Sequence, residues 1–305
     1  NGRQLDEALG QLDFMVSFDI YLNETTRHAH LILPPATGLE TAHYDTTFHL
    51  LAIRNTAKYS EPLFEKSHGA KYDWEIFEEL RVRLETGAPP TEPLPNPETK
   101  LDLGLRFGLY GKTGLTLQTL KDDPHGLDFG PLQPRLPERL STPNGRIDLA
   151  PELLTRDLPR IRENLDALDS QLTLHPSQLL LIGRRHLRDN NSWMHNSARL
   201  VKGRNRCTLQ ITPADAEARG IVSSQTVRVR SRVGSVELEA EVTPSLMPGV
   251  VSMPHGYGHG RRGVRLDVAQ QHAGVSINDL TDETLVDELS GVVAFNGVPV
   301  WVEVP

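Results

Sequence analysis

"QTVRVRSRVGSVELEAEV", Gln225 to Val242, is the stretch that decides the fold. Apolar and polar residues alternate with period two on either side of Gly234, the pattern of strands with one buried and one solvated face. That spacing puts Val227 and Val229, then Val236, Leu238, Ala240 and Val242, on one face of a hairpin. Just upstream, "ITPADAEARG" offers Thr212 as a helix N-cap, Pro213 at the first helical position and Gly220 as the stop. A short helix therefore separates this hairpin from the strand before it. With "GVVSMP" and "VPVWVEV" as further strands, a small barrel closed on itself is the economical way to leave no sheet edge.

The rest of the chain bounds what such a barrel can serve. At 305 residues there is room for two domains, and 38% hydrophobic with 24% charged residues is ordinary for a globular protein. The formal net charge of -8 argues against a general nucleic-acid or anionic-membrane binder, because phosphate-backbone affinity needs a basic surface. Cys207 is the sole cysteine, which excludes a disulfide framework and any cysteine-held iron–sulfur or zinc site built from this chain. That usage fits a reducing compartment, so a cytoplasmic location is expected. No stretch reaches the roughly 20 apolar residues of a membrane-spanning helix.

The first third reads as α/β. "LDEALGQL" is a helix, "FMVSFDIYL" and "LILPP" are short apolar runs expected as buried strands, and the sheet is expected to begin upstream. Asp73 to Gly87 is the clearest helix, with Ile76, Phe77, Leu80 and Leu84 on one face, Asp73 as N-cap and Gly87 as stop. The proline-rich "GAPPTEPLPNPETK" marks a domain edge, and 101–170 is expected to be an irregular connection with about two helical turns. The expected division is 1–87, a linker over 88–170, and a barrel domain over 171–305.

Several motifs compete as sites. "GHGRRG" (258–263) formally matches GxGxxG, with Asp279 and Asp282 about twenty residues on. Two arginines stand where a helix would pack on the strand and Pro254 interrupts that strand, so the match is read as a decoy. His255 and His259, in "HGYGH", are spaced like metal ligands on a helix, but three glycines disfavour the helix. Either a glycine-rich turn with histidines bonded to backbone or a loop that lets a ligand approach closely remains open. His28 and His30 are read as ordinary surface or supporting histidines. No GxSxG elbow or catalytic cysteine context supports a hydrolase.

"LLLIGRRHLRDNNSWMHN", Leu179 to Asn196, is the most suggestive stretch. A strand ending at Gly183 opens into guanidinium, carboxamide and indole groups, a set suited to a diphosphate and a flat heterocycle. The alternative is a solvated polar loop. The order "GR…NNSWMHN", "ITPADAEARGI", "VRVRSRVGSVELEAEVTPSLMPGVVSMPHGYGH", "SINDLT" and "SGVVAFNGVPVWVEV" resembles the C-terminal molybdopterin-dinucleotide-binding domain of the dimethyl-sulfoxide-reductase superfamily. "LDFMVSFDIYLNETTRHAHLILPPATGLE" and "AKYDWEIFEEL" resemble the end of the α/β domain that precedes it there.

The resemblance implies the C-terminal part of a Rossmann-like α/β domain followed by a mainly-β, six-stranded double-psi β-barrel. It implies molybdenum or tungsten held by molybdopterin guanine dinucleotide and two-electron redox chemistry on a small molecule, as in formate dehydrogenases and nitrate reductases. Phe18 and Asp19 are expected at a guanine or ribose, with Asp73 at the other end of that dinucleotide. Gly183, Arg184, Arg185, Asn190, Asn191, Ser192, Trp193 and His195 are expected to hold pyrophosphate and pterin. Asn278 is expected at the pterin, Asn296 takes the place of a lysine common in relatives, and His255 and Gly256 are expected beside the funnel. Where relatives usually carry aspartate this chain has His30, where some carry lysine it has Thr41, and Ser223 to Gln225 replaces an Asp-Gly-Asp turn. The metal ligand and any iron–sulfur cluster are expected from a missing N-terminal half or a partner chain, so this chain alone is expected to have no turnover. A non-catalytic subunit completing a partner's cofactor site, and a nucleotide-binding module unrelated to molybdenum, are the competing readings.

Overall fold

The computed structural model describes residues 1–175 and 177–305. Six strands form a closed barrel: β1 (Leu179–Arg184), β2 (Thr208–Ile211), β3 (Thr226–Arg230), β4 (Ser235–Val242), β5 (Val250–Pro254) and β6 (Val298–Glu303). Around the barrel the order is β4, β2, β5, β1, β6, β3. The hairpin β3–β4 pairs Val229 with Val236 and Val227 with Leu238. Those four and Ala240 are buried, and Val242 is half-buried, as the alternation requires. β4 runs parallel to β2, and β5 parallel to β1. β6 lies antiparallel to both β1 and β3 and shuts the sheet. A closed six-stranded barrel of mixed strand direction agrees with the expected double-psi architecture.

Leu181, Leu209, Ile211, Val229, Val251 and Met253 are among the fully buried side chains filling its interior. The short helix Pro213–Glu217 stands where its caps place it. Thr212 Oγ1 accepts the Asp215 amide at 3.2 Å, and Gly220, at φ +64°, ends the turn.

The chain divides into two compact units, one comprising 1–16, 21–31 and 148–305, the other 17–20 and 32–147. The expected buried strands of the N-terminal third are much reduced. "FMVSFDIYL" contributes only Val16–Ser17 and "LILPP" only Leu31–Ile32, and these two pair as a sheet of their own. With no further strand on that sheet among the described residues, Phe14, Ile20 and Leu31 stay exposed.

The helix Asp73–Thr86 is present, but its N-cap is Tyr72, and Asp73 is the first helical residue. Glu75, at the third helical position, reaches back and accepts the Tyr72 amide at 2.7 Å, which pairs the N–H of the cap residue itself. Of the predicted apolar face, Ile76 is buried and Leu80 half-buried, whereas Phe77 and Leu84 are exposed.

The region expected to be irregular is more ordered than its prolines and charges suggested. It holds the helices Pro97–Phe107 and Leu117–Lys121, and the strand Leu127–Pro131, which pairs with Arg54–Ala57. Asn96 caps the first of these by accepting the Glu98 amide at 2.8 Å, with Pro97 at the first helical position. Ala57, Tyr59, Leu105, Leu115, Leu117 and Leu120 make the buried core of this second unit. In the first unit a 17-residue helix, Leu158–Leu174, replaces the expected two turns. Leu158, Ile161 and Leu165 carry its three-and-four spacing behind many charges. No helix opens at Gly263; the next, Asp267–Gln271, starts beyond it. Among the described residues no helix is long and apolar enough to cross a membrane.

Replacing Leu209, fully buried in the barrel, by alanine is expected to cost about 2–5 kcal/mol. Denaturant unfolding measures it, and a shift below about 1 kcal/mol would show that the barrel interior repacks.

Candidate functional site

β1 and β5 are adjacent and parallel, with Gly183 opposite Met253 and Arg184 opposite Pro254. Their C-terminal ends therefore lie together, and the loops that follow, 185–196 and 255–260, meet at one end of the barrel. Asn191 Oδ1 receives Arg185 Nη1 at 2.8 Å and lies 3.0 Å from His255 Nε2. Gly256, at φ +89°, passes so close that a Cβ there would stand 2.0 Å from the Asn191 carbonyl oxygen. Only glycine fits this crossing. Asn190 and Asn191, at φ +41° and +62°, turn the first loop in the left-handed region that asparagine tolerates.

A cavity of about 230 Å³ opens in this unit, with Ser192, Gly256, Tyr257 and Asn278 in its wall together with Glu24 and Arg261. Ser192 and Asn278, expected at the cofactor's pyrophosphate and pterin, and Gly256, expected beside the funnel, thus share one pocket although they come from three loops. Asn278 is exposed, and its amide donates to Ser276 Oγ at 3.3 Å. Asn296 Oδ1 accepts the Gly183 amide at 2.8 Å. The Trp193 side chain is exposed.

Arg184 is placed differently from a free phosphate ligand. Its Nη1 donates to the Ser252 carbonyl at 2.6 Å, and its Nη2 to the Thr208 carbonyl and Oγ1, both at 2.9 Å. The guanidinium is thereby spent on bracing β1 against β5 and β2, and burial lowers its pKa. Phe18, Asp19 and Asp73 belong to the other unit; the Phe18 ring packs on Phe77 with centroids 4.8 Å apart.

The buried support of the pocket was not read from the sequence. His195 Nδ1 lies 2.8 Å from His259 Nε2, and His259 Nδ1 lies 2.7 Å from Glu24 Oε1. The histidines of "HGYGH" thus contact side chains, whereas the turn reading had them on backbone. Burial by itself would raise the Glu24 carboxyl, but the hydrogen bond with His259 holds it below its ordinary value. Asp6 is likewise lowered against the effect of burial, by hydrogen bonds from His28 and Arg27, and Arg261 Nη1 reaches its other oxygen at 3.1 Å. His28 is therefore a supporting residue 2.6 Å from Asp6. Arg261 Nη2 also donates to Asp279 Oδ1 at 2.7 Å, and Arg232 Nη2 donates to Asp282 Oδ1 at 2.7 Å. The two aspartates downstream of "GHGRRG" are thus engaged in ion pairs. Among the described residues no group of three or more His, Cys, Asp or Glu side chains is arranged to hold a metal ion.

Residues 179–299 match the molydopterin dinucleotide binding domain family, and residues 1–83 the molybdopterin oxidoreductase family. The chain belongs to the molybdopterin oxidoreductase superfamily that includes dimethyl sulfoxide reductase. Within it, the chain is 26% identical to the probable oxidoreductase YoaE of Bacillus subtilis over 93% of its own length and 39% of that protein's. It is 26% identical to the dimethyl sulfoxide/trimethylamine N-oxide reductase of Rhodobacter capsulatus over 82% of this chain and 33% of that one. Acetylene hydratase from Pelobacter acetylenicus shares its fold, with a TM-score of 0.69 at 18% identity over 97% of this chain and 41% of that chain. This molybdopterin oxidoreductase chain spans about two fifths or less of the length of these relatives.

Two outcomes follow from the geometry. Arg184→Ala is expected to destabilise the barrel by on the order of 3 kcal/mol, because it strands buried carbonyl acceptors, whereas Arg185→Ala, on an exposed side chain, leaves stability within about 0.5 kcal/mol. Equal unfolding midpoints for the two variants would contradict the bracing role. Burial also lowers the His195 pKa. The folded state keeps this imidazole neutral while the unfolded chain takes up a proton, so its contribution is intact above about pH 6.5 and is lost as pH falls from there toward the depressed folded value. Stability measured against pH should show this decline in the native sequence and a flatter curve in His195→Gln.

Proposed function

We propose that this chain is the cofactor-binding, C-terminal part of an oxidoreductase that carries molybdenum or tungsten on bis-molybdopterin guanine dinucleotide and moves two electrons to or from a small molecule. The observation that carries the reading is the pocket in which Ser192, Gly256 and Asn278 converge from three loops. Its donor set suits the proposed occupant. Carboxamide and hydroxyl groups and glycine backbone read the edges of a flat heterocycle, and the exposed Arg185 pairs bidentately with phosphate. Ser192 and Asn278 would hold the pterin system, and Arg185, Asn190, Asn191, Trp193 and His255 would line the path of the diphosphate. Arg184, Asn296 and His195 act one step back, by fixing β1, Gly183 and the second loop. Phe18 and Asp19 would meet a guanine or its ribose, and Asp73 the other end of that dinucleotide.

When bound, the cofactor supplies the two-electron redox centre, and the protein supplies binding, orientation and electrostatics. The metal ligand and any iron–sulfur cluster are assigned to sequence outside this chain. Formate oxidation and oxyanion reduction of the nitrate-reductase type are the candidate reactions, and a relative whose name records an F420-dependent formate dehydrogenase supports the first. A cytoplasmic location is part of the same proposal.

The test uses the whole protein that carries this chain, expressed in a host that makes the cofactor. Molybdenum and tungsten are measured by mass spectrometry, and pterin by the fluorescence of its oxidised form. The native protein is expected to carry both metal and pterin. The double variant Arg185→Ala, Asn278→Ala, with exposed positions and unchanged circular dichroism, is expected to retain at least about tenfold less pterin, the effect of some 1.4 kcal/mol. Unaltered pterin in the variant, or guanine nucleotide without pterin in the native protein, would overturn the assignment.

A further inference from the structure

Behind the pocket wall, two carboxylates flank two imidazoles in a row. Glu24 Oε1 faces His259 Nδ1 at 2.7 Å, His259 Nε2 faces His195 Nδ1 at 2.8 Å, and His195 Nε2 faces Asp189 Oδ1 at 3.5 Å. Each of these three gaps needs one proton to become a hydrogen bond, because an ionised carboxylate only accepts and a bare imidazole nitrogen only accepts. Two neutral imidazoles carry two protons. One gap must therefore lack a proton unless the row takes up a third.

The distances show which gap that is. The two short contacts are closed, and the longest lies between His195 and Asp189, where His195 Nε2 and both Asp189 carboxylate oxygens are buried without a hydrogen-bond partner. Buried, unmatched polar atoms of this kind are costly in a finished fold. The row has two outlets. Glu24, whose side chain is 32% exposed, lines the pocket. At the other end His186 Nδ1, on a side chain 40% exposed, stands 3.8 Å from Asp189 and accepts the Arg188 amide at 3.1 Å, so it hands a proton on only when that bond opens.

We propose that Glu24, His259, His195 and Asp189 form a proton-storing relay that exchanges one proton with the group occupying the pocket, with Glu24 as the pocket end and His186 as the solvent end. The inference does not depend on which group that occupant is. In the two-proton state each imidazole bears its proton on Nδ1. A third proton, delivered past His186 and Asp189, binds His195 Nε2 and makes an imidazolium bonded to Asp189. Release takes place at the opposite end of the row. His259 Nδ1–H passes its proton to Glu24, His259 Nε2 takes the proton from His195 Nδ1, and Glu24 gives one proton to a basic nitrogen or oxygen of the group in the pocket. Both imidazoles then bear their protons on Nε2, so one proton has entered, one has left, and only the tautomers have changed.

The surroundings hold the charge near balance. Arg206 Nη2 lies 3.5 Å from Asp189, and Arg261 shares the pocket wall with Glu24. The Tyr257 ring covers His195 at a centroid distance of 4.3 Å. Burial raises the Tyr257 phenol to about 12 and also raises the Cys207 thiol, so both stay neutral. Burial lowers the His195 pKa, so the third proton enters only in mild acid.

Nitrogen-15 spectra of the full chain labelled at histidine read the tautomers directly, with His195→Gln and His259→Gln used only to assign the signals. At neutral pH both imidazoles are expected to bear the proton on Nδ1, and in mild acid a single further proton should appear on His195 Nε2. In Glu24→Ala the acceptor for His259 Nδ1–H is gone, and both imidazoles are expected to switch together to the Nε2 form, which closes the gap to Asp189. Tautomers unchanged in Glu24→Ala, or two histidines that titrate independently, would overturn the relay.

Discussion

The parallel pairing of β1 with β5 is the constraint on which the rest of the structure depends. Parallel neighbours end on the same side, so the chain must leave both strands at one end of the barrel, and the contacts of Asn191 with His255 and of His195 with His259 follow from that meeting. Arg184 secures the arrangement. A guanidinium buried among carbonyls from β5 and β2 gives each of those acceptors a charged donor, and it fixes the end of β1 from which the first loop departs. An arginine that looks like a phosphate ligand in the sequence thus acts on the frame, while its exposed neighbour Arg185 faces the loops.

Closure by β6 is what makes that frame rigid. By pairing with both β1 and β3 it leaves no free edge, and the apolar interior is sealed on all sides. Loops carried by such a barrel can hold polar groups in fixed positions even where those groups have few partners of their own. Gly256 shows how tight the crossing is, since the loop after β5 runs against the backbone at Asn191 with no room for a side chain.

The barrel was legible in the sequence because its signal is local. Period-two alternation in Gln225 to Val242 sets both the hairpin and its buried face, and Thr212, Pro213 and Gly220 bracket a helix within nine residues. The N-terminal third was less legible. Phe77 and Leu84 lie at helical spacing with Ile76 and Leu80, yet they face solvent, because apolar spacing states which residues could be covered and not what covers them. The helix Pro97–Phe107 was hidden by the prolines before it, and Leu158–Leu174 by its charges. At the site, "NNSWMHN" and "HGYGH" announced themselves by composition, but their connection did not. Glu24 and His259 are 235 positions apart, and only the fold makes them neighbours.

Amide hydrogen exchange with and without bound molybdopterin guanine dinucleotide tests the central claim most directly, since it asks whether the meeting of the loops after β1 and β5 is where the cofactor sits. The account predicts that amides in 185–196, 255–260 and 276–279 slow on binding while those of the barrel strands, already protected, change little. Slowing confined to other segments, with these three loops exchanging as before, would contradict it.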